Sequence, residues 1–417
     1  MTAGNKPIRL AIIGGGAAGM MAAAEASRFP CDVTLFERNE KFGRKLGITG
    51  KGRCNVTNFC DIPAFLENVP TNPRFLYAAL HAFSPTDTMA FFEKRGVPLK
   101  VERGNRVFPV SDRAADIVNA LRHAMRCRVI HERVTELIRT DDIGITGVKT
   151  ESGRSYAFDR IIVATGGKSY PVTGSDGDGY RFAEALGLKV IPPSPSLCPM
   201  ETEEKWCREL MGLSLKNVSL RFTDRDSGKC VYSDFGEMMF THFGVTGPMI
   251  LSASSRLPGM RRGRYEAVLD LKPALDEKTL EKRLLSEISA MPNKNYGNLL
   301  HTLLPAKLVP VFVRLSGIPG DKKGNMITKE DRREIIRLLK GISFTISGFR
   351  PIEEAIVTKG GISVKEIDPK TMACKTVPGL YFAGEILDVD GYTGGFNLQI
   401  AFSTAVLAAR SAGRPAE

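Results

Sequence analysis

Glycines 14, 16 and 19 stand at G-x-G-x-x-G spacing between the apolar run LAII (10–13) and an alanine-rich stretch, and the acid Glu37 closes the next apolar run, VTLF (33–36). Gly14 permits the tight turn off a strand, Gly16 lets a pyrophosphate approach the backbone, and Gly19 lets the helix lie close against the sheet. The N–H groups that open the helix, at Ala17 and Ala18, offer phosphates the positive end of the helix dipole. Glu37 ends the second strand, placed to accept both ribose hydroxyls of an adenosine, with Arg38 beside it. These residues predict a βαβ unit that binds a dinucleotide.

Further along, KFGRKLGITGKGRCNVTN (41–58) is basic, glycine-rich and too polar for a core. Arg44 and Lys45 can neutralise a pyrophosphate there, while Thr49, Gly52, Arg53, Cys54 and Asn55 can present backbone and side-chain donors. Cys54 reads as a small packing residue, since only Arg53 stands near enough in sequence to lower its pKa. Three residues in glycine-rich loops could deliver a proton to a reduced substrate: Tyr170, His242 and Tyr392.

Around these residues the chain reads as alternating strands and helices. A hairpin is expected over 99–110 turning at Gly104-Asn105, and a helix over 112–126 with Ile117, Leu121 and Met125 on one face. Three short strands over 134–158, with Thr140-Asp141-Asp142 at the first turn, form a meander. It feeds the strand 160–168, which ends in Thr165-Gly166-Gly167. PPSPS (192–196) reads as a domain boundary, followed by strand-like runs at 219–223, 230–232, 237–241 and 265–271. Helical periodicity occupies 276–341, with Thr328 and Asp331 as a capping box, and strand-like pieces return at 342–346 and 355–358. The predicted domains are a first part of the nucleotide domain at 1–191, a β-barrel at 192–275, a helical lid at 276–341, barrel return strands at 342–358, and the rest of the nucleotide domain at 359–417.

Length and composition suit two or three globular domains: 417 residues, 43% hydrophobic and 25% charged. The apolar run after Arg9 contains the fingerprint glycines, so export is rejected and a cytoplasmic protein is expected. The uncharged stretch 391–409 carries Asn397, Gln399 and Ser403, which argues against a membrane span. The eight cysteines include no CxxC pair, which argues against zinc, disulfides and a dithiol reductase. Net charge is +12, but the basic residues are scattered apart from clusters such as Arg261-Arg262-Gly-Arg264. A solvated surface or an anionic small substrate is therefore preferred to nucleic acid.

The order of fingerprint, meander, ATG strand, long insertion and late Gly384-Glu385 strand resembles FAD proteins of the glutathione reductase type. Several motifs narrow the resemblance: GRKLGITGKGRCNVTN, NRVFPVSD, ATGGKSYPVTGSDGDGY, FTHFGVTGP and FAGEILDVDGYTGGFNLQIAFSTA. Together they look like the YhiN/BaiN-type family of bacterial flavoproteins, across nearly the whole chain. The resemblance implies an α/β fold, a Rossmann domain for FAD with an inserted β-barrel and a helical lid. It further implies Thr165 and Gly166 in the FAD site, a backbone contact from Val134 to adenine, and Glu385 facing ribityl and pyrophosphate oxygens. A helix opening at Gly395, with Asn397, Leu398 and Gln399, would aim its N–H groups at the flavin pyrimidine.

FAD takes the one fingerprint, so NAD(P)H would act as a transient electron donor without its own domain. Family activities vary, and the implied reaction is hydride transfer from flavin N5 to a C=C bond conjugated to a ketone in a steroid or bile-acid ring. An amine or aminoketone oxidase is the alternative. An RNA-modifying flavoprotein comes third, because enzymes of that kind carry extra C-terminal segments whereas this sequence closes soon after Arg410. A monomer or homodimer acting on a small molecule is expected, with no metal.

Overall fold

The apolar runs flanking the fingerprint become the middle of a five-stranded parallel sheet, in the order Leu380–Phe382, Arg160–Val163, Ile8–Ile13, Cys31–Phe36, Arg128–Ile130. Leu10, Ala11 and Ile12 are wholly buried, as expected of a parallel strand covered on both faces. The computed structural model describes residues 6–140 and 144–414. Its chain divides into two compact units: one runs to Ser196 and resumes at Pro351, and the other is Leu197–Arg350.

In the first unit the fingerprint helix Ala17–Ala26 packs along the terminal helix Phe396–Gly413. Both are buried nearly all round, and their alanines allow the close approach. The meander is present as Val134–Thr140, Gly144–Thr150 and Ser155–Ala157; Asp141 and Asp142 of its first turn lie outside the described residues. The hairpin pairs Leu99–Glu102 with Arg106–Pro109, and Gly104 and Asn105 take φ of 74° and 58° at its turn. The expected helix spans Ala114–Ala124.

One expectation fails. The basic loop is not wholly irregular. It contains a helix, Arg44–Ile48, and a two-residue strand, Thr57–Asn58, and it buries Leu46, Cys54 and Val56 in the unit's core. PPSPS, expected at a domain boundary, abuts one, since the second unit begins at Leu197. It lies in the strand Val190–Ser196, which pairs with Val357–Ile362 inside the first unit. Pro192 and Pro193 fall at a bulge between Ile191 and Ser194, where the missing N–H groups cost no ladder bond. The unit boundary therefore falls inside the expected 192–358, at 197–350.

The second unit is a closed six-stranded barrel in the order Met200–Thr202, Gly244–Thr246, Cys230–Phe240, Ser214–Asp224, Tyr265–Asp270, Ile342–Phe349. Runs expected as separate strands at 230–232 and 237–241 are one strand. Between the last two barrel strands the chain makes helices, including Glu277–Ala290, Val309–Ser316 and Lys329–Lys340. Thr328 and Asp331 form the capping box at the last of these. The barrel and these helices share one hydrophobic core, separate from that of the first unit. Among the described residues no helix is long and apolar enough to cross a membrane.

Candidate functional site

The fingerprint glycines do three different things. A Cβ on Gly14, at φ 105°, would sit 2.6 Å from the Ala164 carbonyl oxygen, and one on Gly19 would overlap the Gly14 carbonyl oxygen. Gly16 is the helix N-cap at φ −81° and ψ −166°, an extended conformation open to any residue, and a Cβ there would meet nothing within 4 Å. The vacant side of Gly16, in front of the N–H groups of Ala17 and Ala18, is the cradle a pyrophosphate needs. Thr165, at the end of the neighbouring strand, adds a buried hydroxyl with no partner. Its companion Gly166 takes φ 75°, with Ser175 close behind. These features fit a bound dinucleotide.

At the adenosine end Glu37 is buried and accepts three N–H bonds: Gly15 to Oε2 at 2.6 Å, and the Asn39 backbone and side chain to Oε1 at 2.8 and 2.6 Å. Oε1 is thereby saturated, and Oε2 keeps room for one ribose hydroxyl, where the sequence suggested two. Arg38 is paired with Asp176 at 2.7 Å and with the Gly174 carbonyl at 2.6 Å. Arg133, next to Val134, joins the same pair of acids, reaching Asp178 at 2.6 Å and Asp176 at 3.0 Å. Both acids lie in the GSDGDGY segment, too far from Arg38 in sequence for spacing alone to reveal the pairing.

Lys45 and Glu385 stand 340 positions apart in sequence yet form an ion pair at 2.7 Å, each side chain about a fifth exposed. Ser169 Oγ donates to Glu385 at 2.9 Å and the Thr358 N–H donates at 2.9 Å, while Lys45 Nζ also donates to Ser169 at 2.5 Å. Burial alone would raise the Glu385 pKa; the Lys45 charge and these hydrogen bonds outweigh it and hold the carboxyl below its usual range. A carboxylate depressed in this way stabilises the fold above the ordinary carboxylate pKa, and that contribution fades as pH falls through the depressed value. Replacing Lys45 with Met leaves the largely buried Glu385 without its cation, which should cost about 3 kcal/mol at neutral pH. Urea unfolding across pH should show this gap closing in acid, as Glu385 becomes neutral in both proteins. An equal loss at every pH would mean that the lysine acts through packing alone.

In the basic loop, Arg44 Nη1 donates to Asn39 at 2.7 Å. The Thr49 hydroxyl caps the Leu46 carbonyl at 2.7 Å. Gly52 takes φ 83° beside open space. Arg53 does not extend free donors as expected: its guanidinium is held by Glu102 and Asp112 and lies 4.2 Å over the Phe108 ring. Cys54 is wholly buried at φ 62°, and burial pushes its thiol up to about 12, so it is not a thiolate. The Asn55 amide, oriented by its neighbours, accepts from the Gly395 N–H at 3.0 Å and donates to the Thr57 and Val107 carbonyls. The loop is thus fastened to the start of the terminal helix.

That helix opens at Gly395, whose φ of 100° and near-contact with the Thr57 carbonyl leave no room for a Cβ. Asn397 clasps the preceding loop, accepting from Gly391 N–H at 2.9 Å and donating to the Gly391 and Tyr392 carbonyls at 2.7 and 3.3 Å. Gln399 is fully buried, and protein partners take up its amide: Thr57, Phe83 and Ser403. Leu398 packs partly into the core. Gly384, at φ 83°, faces Ala18 of the fingerprint helix, which explains a glycine there.

Of the proton-donor candidates, Tyr170 and Tyr392 belong to the first unit, and His242 is exposed in the barrel unit against Phe243. Tyr170 takes φ 50° at the start of a short turn, and its N–H reaches the Glu353 carbonyl at 3.3 Å. Sequence reasoning missed Asp390, which is fully buried with Oδ2 bonded to Ser196 at 2.7 Å and Oδ1 unpartnered. It stands inside the FAGEILDVDGYTGG run, but nothing in the sequence shows that it meets Ser196 of the strand Val190–Ser196. Among the described residues no cluster of His, Cys, Asp and Glu could hold a metal.

The parallel sheet, the fingerprint cradle and the inserted barrel are those of an FAD-dependent oxidoreductase with a Rossmann-type domain. Residues 8–411 match the model described as HI0933-like protein Rossmann domain, and the chain belongs to that family. It is 30% identical over 411 residues to the 3-dehydro-bile acid delta(4,6)-reductase of Clostridium scindens, spanning 97% of this chain and 98% of that protein. It is 32% identical over 412 residues to the ribosomal RNA dihydrouridine synthase of Haemophilus influenzae, again spanning 97% and 98%. Among solved structures, the 3-ketosteroid delta1-dehydrogenase of Sterolibacterium denitrificans shares the fold. That likeness has a TM-score of 0.50 at 11% identity and covers 98% of this chain and 100% of that one.

Proposed function

We propose that the protein reduces a C=C bond conjugated to a carbonyl, and that its substrate is a uracil base in structured RNA. The full-length similarity to two enzymes whose names both describe saturating a ring C=C supports the reaction. A net charge of +12 supports the polyanionic substrate, since one small acid needs only one or two cations. This order reverses the one drawn from sequence, which ranked nucleic acid last. Charge is the argument for RNA in the sequence, and the similarity to ribosomal RNA dihydrouridine synthases adds a second.

FAD, held by the Gly16 cradle, Glu37 and the start of the terminal helix, supplies hydride chemistry when bound, and NAD(P)H is the proposed source of the electrons. The chain's own task is to hold the base, polarise its carbonyl and deliver a proton to the carbon next to it, C5 of uracil, while C6 receives hydride. Tyr392 is the preferred donor because Asn397 ties its backbone to the first turn of the terminal helix. Tyr170 and His242 remain the other candidates.

Purified flavoprotein should be incubated anaerobically with NADH or NADPH and either protein-free ribosomal RNA or a 3-oxo-4,6-diene steroid. The expected result is cofactor oxidation with RNA and a uridine that gains two hydrogens by mass spectrometry. Turnover of the steroid alone would overturn the substrate, and peroxide release from an aminoketone with neither acceptor consumed would overturn the reaction.

A further inference from the structure

The barrel unit carries 25 Lys and Arg against 18 Asp and Glu over 197–350, yet its most obvious basic cluster is spent. Arg261 is paired with Asp226, Arg262 with Glu203, and Arg264 with Asp224. The uncompensated charge lies elsewhere. Residues 288–320 contain no acid at all, and 291–333 hold eight Lys and Arg against three Asp and Glu. One of those acids, Asp331, is occupied by Lys322 at 2.5 Å and by the Thr328 cap.

Two loops of this segment are zipped together. Asn295 and Lys323 form an antiparallel bridge, Tyr296 N–H donates to the Lys322 carbonyl at 2.8 Å, and Gly324 N–H to the Lys294 carbonyl at 2.9 Å. Lys294 and Lys323 are thereby held exposed on adjoining backbone. Lys323 Nζ is steadied by the neutral Asn295 side chain at 2.8 Å, not by an acid. Asn325 is exposed beside them, and Met326 is 62% exposed.

We propose that these zipped loops dock the phosphate backbone of the RNA substrate, with Lys294 and Lys323 each neutralising a phosphate. The inference rests on the RNA reading above. Fixed lysines flanked by amides suit phosphate and sugar contacts, which set position on a nucleic acid without reading its sequence. A single exposed methionine on a rigid loop offers too little apolar surface for membrane insertion, which needs a broad apolar helix face.

The test measures binding of labelled, protein-free ribosomal RNA to the FAD-loaded protein by fluorescence anisotropy over a range of salt. Lys294→Ala/Lys323→Ala should bind about tenfold more weakly at low salt, with the slope of log affinity against log salt shallower by about two. Lys294→Gln/Lys323→Gln should behave the same way, and both variants should keep their flavin and thermal midpoint. Arg261→Ala/Arg262→Ala, removing ion-paired arginines of the same unit, should change affinity less than about twofold. Wild-type protein that binds RNA as tightly as the lysine variants would overturn this surface alone. Wild-type protein that binds no RNA would overturn the substrate reading with it, and tighter binding to anionic phosphatidylglycerol vesicles than to RNA would assign the surface to a membrane.

Discussion

Gly16→Val is expected to yield a folded protein without its yellow colour. The backbone at Gly16 is extended, so valine fits it without strain, and its Cβ would enter space that no protein atom occupies. The variant should therefore keep its thermal midpoint and far-ultraviolet dichroism. The methyl groups would stand where a pyrophosphate must approach the N–H groups of Ala17 and Ala18. Losing two charge-assisted hydrogen bonds of that kind weakens FAD by at least about a hundredfold, or about 2.7 kcal/mol. Gly19→Ala provides the contrast: its Cβ would overlap the Gly14 carbonyl, so the fold and the flavin should fail together. Absorbance of the purified proteins and calorimetric titration with FAD separate the two outcomes. A yellow Gly16→Val protein with wild-type affinity would remove the fingerprint from the FAD site.

Excising Leu197–Arg350 and joining Ser196 to Pro351 through a short flexible linker is expected to leave FAD bound and to abolish turnover with every acceptor. The two units have separate hydrophobic cores, and the fingerprint cradle, Glu37, Lys45, Glu385 and the terminal helix all lie in the first. The strand Val190–Ser196 also keeps its partner Val357–Ile362 after the cut. The residues proposed to hold FAD all lie in the first unit, and substrate recognition and water exclusion are therefore expected of the excised one, including the helices read as a lid. Rapid-reaction and flavin-content measurements on the shortened protein decide it. Retained turnover would move substrate recognition into the first unit, and a folded but colourless product would show that the excised unit helps hold the cofactor.

Elements whose physics is local are legible from the residues alone. Glycine spacing at 14, 16 and 19 specifies a strand, turn and helix: Gly14 takes a left-handed φ at the turn, and a Cβ on Gly19 would overlap the Gly14 carbonyl oxygen five residues back. The capping box at Thr328 and Asp331 and the turn at Gly104-Asn105 are legible for the same reason, since a side chain reaches its own helix N–H groups and a left-handed φ suits Gly or Asn. Buried apolar runs likewise announced the parallel sheet.

Which distant partner each polar group meets is settled by the fold. Lys45 and Arg53 read alike as phosphate-binding cations in a basic loop, yet one finds Glu385, 340 positions on, and the other is drawn to Glu102 of the hairpin and Asp112 just after it. Proline-rich 192–196 reads as a domain boundary and does abut one, but its local preferences oppose a strand, and pairing with Val357–Ile362 overrides them by placing the prolines at a bulge. That Asp390 meets Ser196 at 2.7 Å is invisible until the chain brings the two runs together. Local preferences are set by sterics over a few bonds, whereas a buried charge takes whichever partner the fold delivers, because leaving it alone would cost several kcal/mol.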